Sequence, residues 1–222
     1  MSRRPANPVI FPLDVPRLDA ALEWVERLSG HVGLFKVGLE LFSASGPDAV
    51  AAIQNARGRV FLDVKLHDIP ATVAGAAAAL RDLEPAMVTV HAQGGKAMLE
   101  AAVGAFSSDT CVLAVTRLTS LPASIGEVAD AARMARETGC GGVVCSGIEA
   151  GAVREAVGPE LEIVCPGVRP RGADEDDQVR IVTPEAAIEA GASYLVVGRP
   201  IRNAADPVAA ADEIAAAALG AR

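Results

Sequence analysis

Residues 59–83 read RVFLDVKLHDIPATVAGAAAALRDL. A hydrophobic run carries Asp63 and Lys65 at its end, Asp68 follows, and Pro70 opens an alanine-rich stretch with apolar residues at three- and four-residue spacing. The first part predicts a strand over 59–65 and the second a helix. Proline suits the first helical position, where its missing N–H has no partner to lose. Three charges at the joint between the two elements need a reason, because a solvated loop would hold them more cheaply.

The same strand-then-helix grammar extends in both directions. Strands are predicted at 8–15 (PVIFPLDV), 34–40 (LFKVGLE), 87–92 (MVTVHA), 111–116 (CVLAVT), 142–146 (GVVCS), 162–167 (EIVCPG) and 194–199 (YLVVGR). Helical segments separate them, among them LDAALEWVERLSG, PDAVAAIQNARG and GKAMLEAAVGAF, and DPVAAADEIAAAALG follows the last strand. Eight such repeats imply parallel strands with helical crossovers. The α/β fold that fits best is a (β/α)8 TIM barrel. An open doubly wound sheet is the alternative, but the GxGxxG that would favour it after the first strand is missing.

The chain has 222 residues, 51% of them hydrophobic and 3% aromatic, so small aliphatic side chains must build the core. No linker-like or low-complexity tract breaks it, and residues 1–222 are expected to form one barrel domain. A formal net charge of -8 provides no general field for nucleic acid or anionic lipid. The N-terminal MSRRPANPVIF lacks the apolar stretch of a signal peptide, and no window approaches roughly 18 apolar residues, so neither secretion nor a membrane span is expected. Cys111, Cys140, Cys145 and Cys165 form no CxxC pair and have no histidine at ligand spacing. They read as small buried thiols of a reducing cytoplasm, and no metal site is expected.

Polar residues recur where the predicted strands end. Asp14 ends the first, Lys36 lies in the second, Asp63 and Lys65 end the third and His91 ends the fourth. Thr119 follows the fifth, Arg169 follows the seventh and Arg199 ends the eighth. In a barrel these side chains converge at the C-terminal mouth. Asp63 and Lys65, two apart on a strand, share a face with Phe61, while Leu62 and Val64 face the helices. Asp68 can turn toward the same mouth or toward a neighbouring subunit. An isolated Asp-x-Lys would be a strand-end salt bridge. Four or five alternating charges in one cavity suit chemistry better.

FLDVKLHDIPATV, with PLDV, KVGLELFSASGP, VTRLTS, CPGVRPRGADEDDQVRIVTP and YLVVGRPI in that order, resembles the orotidine 5'-phosphate decarboxylase family over about residues 10–203. The resemblance implies a homodimeric enzyme that converts orotidine 5'-phosphate to UMP without metal or cofactor. It implies Lys65 as proton donor, Asp63 beside the substrate carboxylate, and Lys36 linking Asp14 and Asp63, with Asp14 and Lys36 on the ribose hydroxyls. Asp68, Ile69 and Thr72 would reach the partner's site. Thr119, ahead of Ser120, would lie near the pyrimidine, and Arg169, Gln178, Gly198 and Arg199 would surround the phosphate. Pro12 departs from the family pattern, in which a small residue stands before the first-strand Asp, yet it leaves Asp14 in place.

Several residues take smaller roles. His67 is expected to orient its loop by a hydrogen bond, His91 to stand behind the site, and His31 to lie at the surface. The acids at 174–177 read as a solvated loop, and Trp24 reads as core packing beside Ala20, Ala21 and Leu28. Two rival functions stay open. A 3-keto-gulonate-6-phosphate decarboxylase would share DxKxxD but require Mg2+. A non-catalytic phosphate-ligand binder would not need Asp63, Lys65 and Asp68.

Overall fold

The structure, a computed structural model, describes residues 5–118, 121–170 and 182–221. Its strands are β1 (Val9–Pro12), β2 (Leu34–Gly38), β3 (Val60–Leu66), β4 (Met87–His91), β5 (Cys111–Val115), β6 (Gly142–Val144), β7 (Glu162–Pro166) and β8 (Tyr194–Val196). Each pairs in parallel with the next, and β8 returns to β1 through Val9 opposite Leu195 and Ile10 opposite Val196. The eight therefore close a barrel in chain order, as the repeat of strand and helix predicts.

The helices among the described residues are α1 (Leu18–Leu28), α2 (Leu39–Ser45), α3 (Pro47–Asn55), α4 (Pro70–Arg81), α5 (Gly95–Ala105), α6 (Ile125–Glu137), α7 (Ala150–Val157), α8 (Pro184–Glu189), α9 (Arg199–Arg202) and α10 (Pro207–Gly220). Side chains mark several of their starts. Ser124 and Glu127 form a reciprocal capping box at α6, and Asp206 accepts hydrogen bonds from the backbone of Val208 and Ala209 at α10. Each cap satisfies amides that the helix itself leaves orphaned.

Strand alternation sorts the side chains into two cores. Ile10, Leu34, Phe61, Met87, Leu113, Val164 and Tyr194 fill the barrel interior. Their neighbours in sequence, such as Val9, Phe11, Phe35, Leu62 and Val88, face the helices in a much larger outer layer. Strands buried on both faces read as continuous apolar runs. Filling the interior with one aliphatic or aromatic residue from nearly every strand makes it a packed floor beneath the mouth. Trp24 is half-buried against the outer layer, with its ring 5.2 Å from Phe11.

Three of the strand boundaries that differ from the sequence expectation bear on the mouth. β1 ends at Pro12, so Asp14 stands two residues beyond it. β2 ends at Gly38, and the expected strand residues Leu39 and Glu40 instead open α2. β8 ends at Val196, so Arg199 does not end a strand; it opens α9. Pro200 explains the last difference. Proline cannot donate to a strand ladder, and its fixed φ suits a first helical turn.

Candidate active site

The mouth is built around an alternating row of charges. Lys36 rises from β2, and its Nζ lies 3.0 Å from Asp14 Oδ1 and 3.8 Å from Asp63 Oδ2. Lys65 Nζ, on β3, donates to Asp63 Oδ1 at 2.8 Å. The order is thus Asp14, Lys36, Asp63, Lys65, with opposite signs adjacent throughout. Side-chain exposure is 13% for both Lys36 and Asp63, 31% for Lys65 and 48% for Asp14. The row is sheltered at its centre and wet at one end, so its inner pairs are screened less than surface pairs. Gly38 keeps the space clear, since a Cβ there would stand 2.8 Å from Lys36 Nζ.

β3 reaches this arrangement by leaving its regular register. Leu62 pairs with Val88 and Leu66 with Val90, so four residues of β3 advance against two of β4. Lys65 takes up the irregularity with a φ of 50°, in the left-handed region. That region is uncommon for a residue with a side chain, and bulges beside active sites often re-aim one. Asp63 and Lys65 do share the inward face with Phe61, but the contact between them depends on this slip as well as on simple alternation.

A cavity of about 150 Å3 opens beside the row, with Phe61, Val115, Val144, Pro166 and Val196 as apolar walls and Lys36, Asp63 and Lys65 as its charged side. Whole ligand pockets usually span about 300–1,000 Å3, so this volume suits the deep end of a site.

The other expected residues are spread around the rim. Asp68 is exposed and its carboxylate accepts from the Ile69 N–H at 2.6 Å; it does not join the row. Ile69 is 65% exposed, and Thr72 is exposed in the first turn of α4. Arg169 is only 5% exposed, with its Nη1 donating to the Val168 carbonyl, so it is not an ordinary surface charge. Gly198 precedes α9, and a Cβ there would come within 2.8 Å of Pro12 Cγ. The departure at Pro12 therefore packs against the strand-eight end of the mouth, and Arg202 donates to the Pro12 carbonyl at 2.7 Å. Thr119, Ser120, Gln178 and the acids at 174–177 lie outside the described residues.

His67 stacks on His91, with ring centroids 5.1 Å apart. Among the described residues its contact is with that ring, and the expected hydrogen bond is not formed. Burial of His91, with the charges of His67, Lys65 and Arg117, holds its imidazole below the usual histidine range. A neutral ring there meets Lys65 and Arg117 without repulsion. The Gln93 N–H points to His91 Nδ1 at 3.4 Å, which leaves Nε2 to carry the proton of the neutral ring. His31 meets Asp212 at 2.9 Å near the surface. The thiols stand apart from this chemistry: all four are free, burial pushes Cys111 up to about 12 and raises Cys140, and a hydrogen bond with Cys165, followed by burial, raises Cys145. Among the described residues no group of three His, Cys, Asp or Glu side chains could hold a metal ion.

Two residues of the mouth were missed in the sequence. Thr89, fully buried on β4, donates to Asp63 Oδ1 at 2.9 Å and accepts from the Lys65 N–H at 2.9 Å. Its parity with Met87 could have placed it facing inward. Arg117 follows β5 and lines the same cavity, and its Nε is buried without a hydrogen bond. It lies inside VTRLTS, two residues before Thr119.

Comparisons with known proteins agree along nearly the whole chain. The profile of the Orotidine 5'-phosphate decarboxylase / HUMPS family matches residues 7–214. The orotidine 5'-phosphate decarboxylase of Moorella thermoacetica is 52% identical over 228 residues, covering 94% of this chain and 90% of that protein. The one from Thermobifida fusca is 49% identical over 223 residues, covering 95% of each. Among solved structures, the orotidine 5'-phosphate decarboxylase of Lactobacillus acidophilus superimposes with a TM-score of 0.83 at 35% identity, covering 96% of this chain and 99% of that one.

Proposed function

The chain belongs to the orotidine 5'-phosphate decarboxylase / HUMPS family, and from that premise we propose that it converts orotidine 5'-phosphate to UMP and CO2, a carboxy-lyase step of pyrimidine biosynthesis. The observation that carries this reading is the Asp14–Lys36–Asp63–Lys65 row ending on an ammonium at the deep cavity.

The chemistry explains why such a row is useful. Breaking the bond between C6 and the carboxylate leaves an electron pair on C6, with no neighbouring carbonyl placed to delocalise it. The ammonium of Lys65 stabilises that pair as it forms and then gives it a proton, while CO2 departs. Lys65 regains its proton from solvent after the turn. Asp63, next to the leaving carboxylate, opposes the ground state, and Lys36 holds Asp63 and Asp14 in place. Stabilisation of this kind is effective because the charges are fixed before the reaction begins. Asp14 and Lys36 would receive the ribose hydroxyls. Arg169, Gln178, Gly198 and Arg199 would hold the phosphate, at the end of a barrel where phosphates commonly bind. Thr119 would lie near the pyrimidine.

Neither step calls on a metal or an organic cofactor. The test is to mix orotidine 5'-phosphate with the pure protein in EDTA and follow loss of the orotate absorbance and appearance of UMP. Full activity in EDTA is expected. Activity restored only by Mg2+ would favour the sugar-phosphate decarboxylase, and binding without turnover would favour the non-catalytic binder.

We also propose that residues 1–222 act as one barrel domain and that two copies pair. Asp68, Ile69 and Thr72 stand exposed beside the mouth, and an isoleucine left 65% exposed there suits a partner's surface. Asp68 would then complete the neighbour's charged row. Sedimentation is expected to give a dimer, and Ile69→Asp to weaken it and lower activity together. A wild-type monomer with full activity at assay concentration would refute the pairing. A reducing cytoplasm suits the four free thiols.

A further inference from the structure

Lys65 occupies a backbone conformation that its own side chain disfavours, and something must hold it there. The register slip takes its N–H out of the β3–β4 ladder. The Thr89 hydroxyl accepts that N–H at 2.9 Å. The same oxygen stands 2.9 Å from Asp63 Oδ1, which also receives Lys65 Nζ at 2.8 Å. The contacts close a ring: Lys65 N–H to Thr89, Thr89 O–H to Asp63, and the Lys65 ammonium back to Asp63.

The direction of each bond in that ring is fixed by chemistry. An amide N–H only donates, and an ionised carboxylate only accepts. The Thr89 hydroxyl must therefore accept from Lys65 and spend its single proton on Asp63. Thr89 is 0% exposed, so water cannot substitute for either partner. It sits on β4 between Val88 and Val90, opposite the slip, where β4 keeps a regular register with β5, and so ties the irregular stretch of β3 to a regular strand.

We propose that Thr89 is a positioning residue for the decarboxylation, holding the Lys65 backbone in its left-handed turn and fixing the Asp63 oxygen on which the Lys65 ammonium rests. This rests on the decarboxylase reading given above. Thr89 touches no substrate atom; it acts through the two residues that do. Valine at this position has nearly the same shape, but it leaves the Lys65 N–H unpaired and removes one donor from Asp63. Serine keeps both hydrogen bonds and loses only a methyl group.

The experiment compares wild type with Thr89→Val and Thr89→Ser in steady-state formation of UMP, with folded sites counted by UMP binding. For Thr89→Val, kcat is expected to fall about ten- to hundredfold, the scale of a lost hydrogen bond to a charged group. KM should move less than about threefold, because the phosphate and ribose contacts are untouched, and Thr89→Ser should restore kcat to within about threefold of wild type. If Thr89→Val does not fold, Thr89→Ala against Thr89→Ser carries the same comparison. A kcat per folded site that survives loss of the hydroxyl overturns the inference. So does an equal loss in the serine variant, or a defect confined to KM. Wild type that forms no UMP overturns the decarboxylase reading and this inference with it, whereas active wild type beside an equally active Thr89→Val removes this inference alone.

Discussion

Lys65→Ala is expected to lower kcat for UMP formation by about four powers of ten or more while UMP still binds. Two separate losses combine in that number. Removing a preorganised group that stabilises developing charge costs on the order of a hundred- to a thousandfold. Removing a positioned proton donor costs about a hundred- to ten-thousandfold. Lys65 is the one residue asked to supply both, since its ammonium borders the deep cavity and rests on Asp63 at 2.8 Å. The contacts proposed for the phosphate are left in place by the change, so affinity for UMP should stay within about tenfold. Single-turnover kinetics and titration calorimetry separate the two quantities. Turnover that survives in Lys65→Ala would rule out the mechanism, whatever happened to binding.

The second large effect is expected at Asp63. Asparagine keeps the size of the side chain and still offers an oxygen to Thr89, but it removes the charge shared by Lys36 and Lys65. Two unit charges about 4 Å apart interact by roughly 4 kcal/mol at an effective dielectric near 20, and that is close to three powers of ten in rate. Asp63→Asn should therefore lose about a thousandfold in kcat. Its KM should hold or fall, because an acid that opposes the bound carboxylate in the ground state is gone and two cations are left to attract it. A variant whose KM rises with kcat intact would mean that Asp63 binds substrate and does not oppose it. This repulsion is still small beside the roughly 8–23 kcal/mol that enzymes commonly supply, which is why the proposed mechanism gives the larger share to Lys65.

Much of this architecture was legible before any coordinates. Barrel strands are buried on both faces, so they stand out as apolar runs, and Pro70, Pro184 and Pro207 mark where helices begin. A lysine inside LFKVG and an acid and a lysine at the end of VFLDVKL are costly to bury and so point to the mouth. What stayed hidden has physical reasons too. The slip in β3 carries no glycine to announce it, because Lys65 itself adopts the left-handed turn. Thr89 looks like an ordinary β-branched strand residue, since its hydroxyl is invisible to a hydrophobic pattern. α9 spans four residues, too few for any helical period, so Arg199 read as the end of a strand. The role proposed for Asp68 in a second copy is a matter between chains, on which one chain's periodicity is silent.

The two ends of the mouth come from opposite ends of the polypeptide. Every member of the charged row, and the threonine that steadies it, lies between residues 14 and 89, whereas Arg169, Gly198 and Arg199 arrive with the last two strands. Descent with modification can then rewrite the reacting half of such a barrel while the residues proposed to hold the phosphate pass on unchanged. New chemistries on this scaffold are most cheaply sought in its first hundred residues.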